Sequence, residues 1–405
     1  MSGRSEYGGG LPAGAPTTLG ATPLLASVRK FAFPRFPGTE GEKRAADLFA
    51  EELTRLGWTV TRQPFRSSLS AMHRIRVLAL GLIAALAVLI GMTEPFVPLF
   101  ACVAGVVLLL IFARSSRWPR FFEAWYDDAP LVDSQNVHAR RSSEPARVIL
   151  LAHLDSKSSR DSTFVAVALI LAAGLVTAYL VVRAALAVLG IADPAPLHWT
   201  FPLSLGIAAA MVRALWNPSG NLSPGAMDNA SGLAVLLEAA RAFPNDPEIP
   251  CERVQILATG SEEIGLAGAL RWIQAYERDL DRAAVFVNLD SVGVGRGLLA
   301  VDIHGDANAG ADMSRLVRNA ARSANVELKI VPGIPGTGVD TMPIAARGFA
   351  TVTFLGQVLG KPAQRLHTPG DMAEHLNEEG LRDAVRMVRE VIRRILQGEA
   401  APKGS

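Results

Sequence analysis

The sequence alternates between short apolar segments, which are typical of buried strands, and amphipathic segments, which are typical of helices. Near-continuous apolar strands separated by helices favour an α/β fold, in which helices cover both faces of a largely parallel sheet. An amphipathic segment that ends at Gly57 leads into a short strand at 58–65. Further strands are predicted at 147–156, 253–263, 283–293 and 351–356, and further helices at 231–243, 266–276, 314–324 and 378–397.

Acidic and histidine side chains follow three of these strands at the point where each strand ends. They are His153 and Asp155 on the first, Glu262 and Glu263 on the second, and Asp290 on the third. In open parallel sheets, ligands and reacting groups gather at the carboxyl ends of the strands. A mixture of imidazole and carboxylate groups suits zinc. The pattern therefore indicates a metal site at this edge of the sheet.

Five segments carry a more specific signal. AHLDS, GAMDNASG, GSEEIGLAGA, NLDSVG and HTPGD follow one another along the chain. In this order they resemble the successive motifs of the M28 family of zinc peptidases, which includes aminopeptidases. The resemblance covers roughly residues 38–70, 145–158 and 218–398. It implies the fold of the zinc exopeptidases, a three-layer α/β sandwich of the phosphorylase/hydrolase type with a mostly parallel central sheet.

The resemblance also implies a site that holds two zinc ions. Asp228, from the GAMDNASG segment, would bridge the two ions. His153 and Asp290 would complete the ligands of one ion, and Glu263 and His367 those of the other. Two zinc ions activate a bridging water and polarise the bond to be cleaved, and three ligand carboxylates offset most of their charge.

Two further residues take catalytic roles from the same resemblance. Asp155 would hold the ring of His153 through its other nitrogen, which fixes the tautomer of the ligand. Glu262 would be the general base, since it stands next to a ligand and so beside the activated water. The resemblance also implies a cis peptide bond between Asp228 and Asn229. One departure concerns substrate preference, because Thr341 stands where a histidine is common in the family.

Four long apolar segments interrupt the α/β pattern, at 77–93, 95–113, 162–182 and 197–216. Half of the residues are hydrophobic, 19% are charged and the mean hydropathy is +0.26. Each segment is about as long as the roughly 20 residues that a membrane-spanning helix needs. The sequence therefore predicts four transmembrane helices in two inserted hairpins, so that the protein would be an integral membrane protein with the lipid bilayer as a partner.

The charges that flank these segments predict the orientation. Eight basic residues lie on the catalytic side, and one, Arg183, lies near the far side. The eight are Arg74, Arg76, Arg114, Arg117, Arg120, Lys157, Arg160 and Arg213. Because Lys and Arg are enriched in cytoplasmic loops, this distribution predicts a cytoplasmic catalytic domain.

The resulting organisation interleaves one peptidase domain with the two hairpins. We predict a flexible N-terminal tail at 1–25, peptidase segments at 26–72, 114–160 and 218–398, hairpins at 73–113 and 161–217, and a C-terminal tail at 399–405. The long insertion between His153 and Asp228 contains the whole second hairpin.

The predicted function is that of a zinc aminopeptidase acting on peptides. Three alternatives remain open from the sequence. They are a zinc amidase or carboxypeptidase, an enzyme like the glutaminyl cyclases, which use one zinc, and a non-catalytic binding protein with a peptidase-like domain. A net charge of +2 gives no argument for a nucleic-acid partner. The oligomeric state is left open.

Overall fold

The computed structural model describes residues 24–71, 120–191, 217–304, 309–332, 338–358 and 360–399, with single positions between 73 and 77 and between 202 and 213. The strands are β1 (Thr59–Ser68), β2 (Leu131–Arg140), β3 (Val148–His153), β4 (Ser158–Ser159), β5 (Ser219–Gly220), β6 (Val254–Thr259), β7 (Val285–Asp290), β8 (Leu298–His304), β9 (Leu328–Ile330) and β10 (Ala350–Leu355). The helices are α1 (Leu24–Phe31), α2 (Glu40–Arg55), α3 (Thr163–Val188), α4 (Ser231–Ala242), α5 (Ala267–Tyr276), α6 (Ala309–Ala324), α7 (Thr341–Ala345) and α8 (Glu378–Leu396).

Eight of the strands form one sheet, in the order β1-β2-β6-β3-β7-β10-β8-β9. The four central strands are β6, β3, β7 and β10, and they run parallel to one another. Antiparallel pairs join β1 to β2, β2 to β6, and β10 to β8. The prediction of an α/β fold around a central sheet is confirmed. The sequence analysis did not predict strands β2, β8 and β9. These three strands run opposite to the central strands and make the sheet mixed.

Each face of the sheet packs on a separate hydrophobic core. Along β3, Val148 and Leu150 lie in the core shared with α1, α2, α4, α6 and α8, whereas Ile149 and Leu151 lie in the core shared with α5. All four side chains are fully buried. This alternation follows from the period of two in a strand, and it produces the three layers of the sandwich.

The prediction of four transmembrane helices in two hairpins is wrong. Among the residues that the structure describes, no helix is both long and apolar enough to cross a membrane. The predicted segment 95–113 lies outside the described residues. So do 77–93, except residue 77, and most of 197–216. The same finding overturns the prediction of an integral membrane protein with a cytoplasmic catalytic domain. That prediction counted apolar residues along the sequence, and such a count does not show what surrounds the folded segment.

Candidate metal centre

The polar residues that end the central strands come together at one edge of the sheet. Strand β3 lies between β6 and β7, and His153 is in register with Thr259 at the end of β6. Glu262 and Glu263 follow β6, and Asp290 is the last residue of β7. Because these strands are parallel, their carboxyl ends meet at the same edge.

Asp228 lies between the two histidines. Its Oδ1 is 3.0 Å from Nε2 of His153, and its Oδ2 is 3.0 Å from Nε2 of His367. The same nitrogen of His367 lies 3.3 Å from Oε1 of Glu263. Two groups of possible metal ligands therefore share Asp228. They are His153, Asp228 and Asp290, and Asp228, Glu263 and His367, with the ligand atoms of each group within 4.8 Å of one another.

The turn that carries Asp228 is held by side chains from distant parts of the chain. It leads into α4, and the peptide bond between Asp228 and Asn229 is cis, as predicted. The carboxylate of Asp371 accepts the main-chain N–H of Asp228 at 3.2 Å and that of the preceding residue at 2.6 Å. The side chain of Asn229 donates to the carbonyl of Leu289 at 2.8 Å. These bonds place the carboxylate of Asp228 beside the end of β7.

The turn that carries Glu262 and Glu263 is held in a similar way. The carboxylate of Asp155 accepts the main-chain N–H of Glu262 at 3.0 Å with one oxygen and that of Glu263 at 2.9 Å with the other. Glu42, from α2, accepts the main-chain N–H of Ser261 at 2.9 Å. Ser261 has a φ of +55°, a conformation that non-glycine residues rarely adopt. Buried acceptors thus stabilise the turn that presents both glutamates.

In each histidine the second ring nitrogen lies within hydrogen-bond distance of an oxygen atom. Nδ1 of His153 lies 3.0 Å from the main-chain carbonyl of Asp155 and 3.6 Å from its carboxylate. Nδ1 of His367 lies 2.9 Å from the hydroxyl of Thr163. A neutral imidazole that binds metal through Nε2 carries its hydrogen on Nδ1. Both rings are therefore oriented with Nε2 towards Asp228.

The site has more acids than cations, and its pKa values reflect this. Burial, followed by the charge of Asp228, raises the pKa of Asp290 to about 7. Burial also raises the pKa of Glu262 well above its usual range, with a further contribution from Glu263. Burial opposes ionisation of Glu263 as well, but His367 and Lys157 outweigh it and lower its pKa to about 2.

Two of the predicted ligand atoms, Nε2 of His153 and Oε1 of Glu263, are buried and make no hydrogen bond of good geometry within the described part of the chain. Their nearest charged neighbours are other predicted ligands, Asp228 at 3.0 Å and His367 at 3.3 Å. Buried polar atoms are usually paired, and a bound ion is one explanation for an unpaired one. Imidazole nitrogen and carboxylate oxygen are the ligands of catalytic zinc sites. The residues present therefore fit zinc.

The sequence analysis missed several residues that support this site. Asp371 is the last residue of the HTPGD motif and Lys157 directly follows HLDS, so the position of each residue next to the motifs could have indicated its role. Lys157 donates to Oε2 of Glu263 at 2.6 Å. Arg35 is fully buried and donates to the carbonyls of Leu154 at 2.7 Å and of Gly225 at 3.1 Å, which joins the segments that follow β3 and precede Asp228. Nothing in the sequence around Arg35 indicates this.

Thr341, which departs from the family pattern, and Asp340, which keeps it, are both buried. The carboxylate of Asp340 accepts the hydroxyl of Thr259 at the end of β6, and burial raises its pKa to about 6. The hydroxyl of Thr341 lies 2.8 Å from that of Thr353 in β10. Thr341 is therefore part of a polar network inside the protein.

Comparison with known proteins relates this chain to metallopeptidases. Residues 206–392 match the model of peptidase family M28, and this stretch contains Asp228, Glu262, Glu263, Asp290 and His367. This part of the chain, which carries most of the site, is therefore similar to the M28 peptidases.

Individual relatives agree with this class. The chain is 30% identical to aminopeptidase YwaD of Bacillus subtilis over 194 residues, which are 45% of this chain and 40% of that protein. It therefore spans less than half of that curated relative. A solved zinc aminopeptidase from Bacillus subtilis has the same fold, with a TM-score of 0.52, 17% identity and coverage of 91% of this chain and 93% of that one. A glutaminyl cyclase from an Acidobacteriales bacterium shares the fold too, with a TM-score of 0.54, 14% identity and coverage of 96% and 99%.

Proposed function

We propose that the protein is an aminopeptidase that uses two zinc ions to remove N-terminal residues from peptides. The observation that carries the proposal is the position of Asp228, whose two carboxylate oxygens face two different histidines at 3.0 Å each. A carboxylate in this position can bridge two ions, and each histidine has its own second acid, Asp290 or Glu263. The similarity to aminopeptidase YwaD supports the same activity.

Each residue of the site has its own role in the proposed reaction. His153 and Asp290 would hold one zinc, Glu263 and His367 the other, and Asp228 both. When bound, the zinc ions lower the pKa of a water molecule and polarise the peptide carbonyl. Glu262 does not belong to either ligand group, yet Asp155 holds its main chain beside Glu263. Its carboxylate is therefore free to take a proton from the water and to pass it to the leaving amine.

The test is a Glu262→Gln variant. Glutamine keeps the size of the side chain but cannot accept the proton, so kcat should fall by about 10²- to 10⁴-fold. Release of N-terminal residues from a peptide library would be followed by mass spectrometry, with zinc content measured on the same sample. The matched control is Glu51→Gln, on the exposed face of α2, which should keep full activity. Unchanged kcat in Glu262→Gln with normal zinc content would contradict the proposal.

A cyclase of the glutaminyl-cyclase type is the second candidate. The ion pair of Lys157 with Glu263 favours it, because a fixed positive charge in the second ligand group reduces the need for a second metal ion. Zinc content separates the two candidates. Two ions per chain and release of free amino acids support the aminopeptidase, whereas one ion and conversion of N-terminal glutamine to its cyclic form support the cyclase.

A further inference from the structure

The segment 157–163 contacts the second ligand group at three points. Lys157 donates to Oε2 of Glu263 at 2.6 Å. The main-chain N–H of Ser159 donates to the carbonyl of His367 at 2.8 Å. The hydroxyl of Thr163, the first residue of α3, lies 2.9 Å from Nδ1 of His367. Both residues that would bind the second zinc together with Asp228 are therefore held by this one segment.

The first ligand group takes its support from other parts of the chain. Nδ1 of His153 lies 3.0 Å from the main-chain carbonyl oxygen of Asp155. Oδ1 of Asp290 accepts a hydrogen bond from the hydroxyl of Ser291 at 3.0 Å. These partners belong to the segments that directly follow β3 and β7. The two metal positions thus differ in what orients their ligands.

His367 depends on outside support more than His153 does. Its φ is +59°, in the left-handed region that non-glycine residues rarely adopt. Its side chain is 19% exposed, against 1% for His153. The hydroxyl of Thr163 bonds to the ring of His367, and the N–H of Ser159 bonds to its main-chain carbonyl, so the same segment holds both the ring and its backbone.

The segment is itself anchored on the far end of the insertion. Asp161 donates its main-chain N–H to the side chain of Asn217 at 2.8 Å, and its carboxylate accepts from Arg213 at 2.7 Å. Strands β4 and β5 pair Ser158 with Gly220. The two ends of the insertion are therefore joined directly beside His367.

We propose that Thr163 is a positioning residue for His367, and that the segment 157–163 thereby sets the affinity of the second metal position alone. The inference rests on the two-metal site proposed above. A hydrogen-bond partner on the outer nitrogen of a ligand histidine fixes its tautomer and the orientation of its ring, and loss of such a partner typically weakens metal binding about 10- to 100-fold.

The test compares Thr163→Val, which keeps the shape but removes the hydroxyl, with Thr163→Ser, which keeps the hydroxyl. Zinc affinity is measured by competition with a chelator in two backgrounds. In His153→Ala, only the His367 position is intact, and Thr163→Val should weaken zinc about 10- to 100-fold. In His367→Ala, only the His153 position is intact, and the same substitution should change nothing. Thr163→Ser should restore affinity in the first background.

Three outcomes would overturn the inference. Equal weakening in both backgrounds would mean general loss of structure, and no weakening in His153→Ala would mean that Thr163 does not orient the ring. A wild-type protein that binds a single zinc would overturn the two-metal proposal itself, and this inference with it. Thr54→Val on α2, whose hydroxyl donates to the carbonyl of Ala50 in the same helix, is the control for the loss of a hydroxyl.

Discussion

The carboxylate of Asp371 accepts the main-chain N–H of Asp228 at 3.2 Å, although 143 residues separate the two along the chain. Its other oxygen accepts the N–H of the residue before Asp228. Asp371 is fully buried, and burial, together with the charge of Asp228, raises its pKa to about 7. The protein thus keeps a second acid directly behind the carboxylate that the two proposed metal positions would share.

Asp371→Asn should weaken both metal positions together. The amide would turn its NH2 group towards one of the two N–H donors, so that the turn carrying Asp228 would move. Loss of such a supporting group costs about 10- to 100-fold in metal affinity. Titration of the metal-free protein with zinc checks this. Asp47→Asn, at an exposed ion pair with Arg62, should bind zinc normally. Weakening of only one of the two ions would argue against this role.

Asp155→Asn should lower kcat more than it lowers zinc content. The two oxygens of Asp155 accept one N–H each, from Glu262 and Glu263, and the amide can satisfy only one of them. The turn should shift, and a displacement of about 1 Å at a reacting group costs on the order of 10²-fold in rate. The unpaired buried N–H should also reduce the free energy of unfolding by about 1–3 kcal/mol.

Steady-state kinetics at saturating zinc and urea unfolding measure the two effects of Asp155→Asn separately. The matched control is Asp133→Asn in β2, whose carboxylate is exposed. A variant that unfolds more easily but keeps its kcat would show that Asp155 stabilises the turn without placing Glu262.

The strand-end residues of the site were predictable because their signal is local. His153 ends an apolar strand and Asp290 ends another, and the carboxyl ends of parallel strands must meet. The same local argument found α4, α5 and α8 close to their observed bounds. The strand β2 was missed because polar residues interrupt its apolar pattern. Asp133 is exposed, and the buried side chain of Asn136 donates to Gln63 and to the carbonyl of Gly268.

The supporting residues were not predictable, because their roles depend on contacts between distant segments. Thr163 and His367 are 204 residues apart, and no local pattern connects a threonine at a helix start with a histidine in a turn. Arg35 bonds to main-chain carbonyls, which every residue has, so its partners leave no trace in the sequence. The prediction of transmembrane helices was wrong for a related reason. The composition of a segment gives its hydrophobicity but not what surrounds it in the folded protein.

Glu42 provides a test of stability against pH. It is 2% exposed, and its carboxylate accepts the hydroxyl of Ser134 at 2.7 Å and the N–H groups of Gly38 and Ser261. Burial, with a contribution from Asp155, raises its pKa from 4.5 to about 8. Folded Glu42 therefore keeps a proton at pH values where the unfolded chain has lost it.

The contribution of Glu42 to stability should consequently be complete below pH 4.5 and decline as the pH rises to about 8. Because the folded state binds more protons in this range, the free energy of unfolding falls with pH, by at most about 1.4 kcal/mol per pH unit for one group. Glu42→Gln cannot titrate and should show a smaller decline. Urea unfolding of the metal-free proteins between pH 5 and pH 8 measures the difference, and parallel curves for the two proteins would contradict the raised pKa of Glu42.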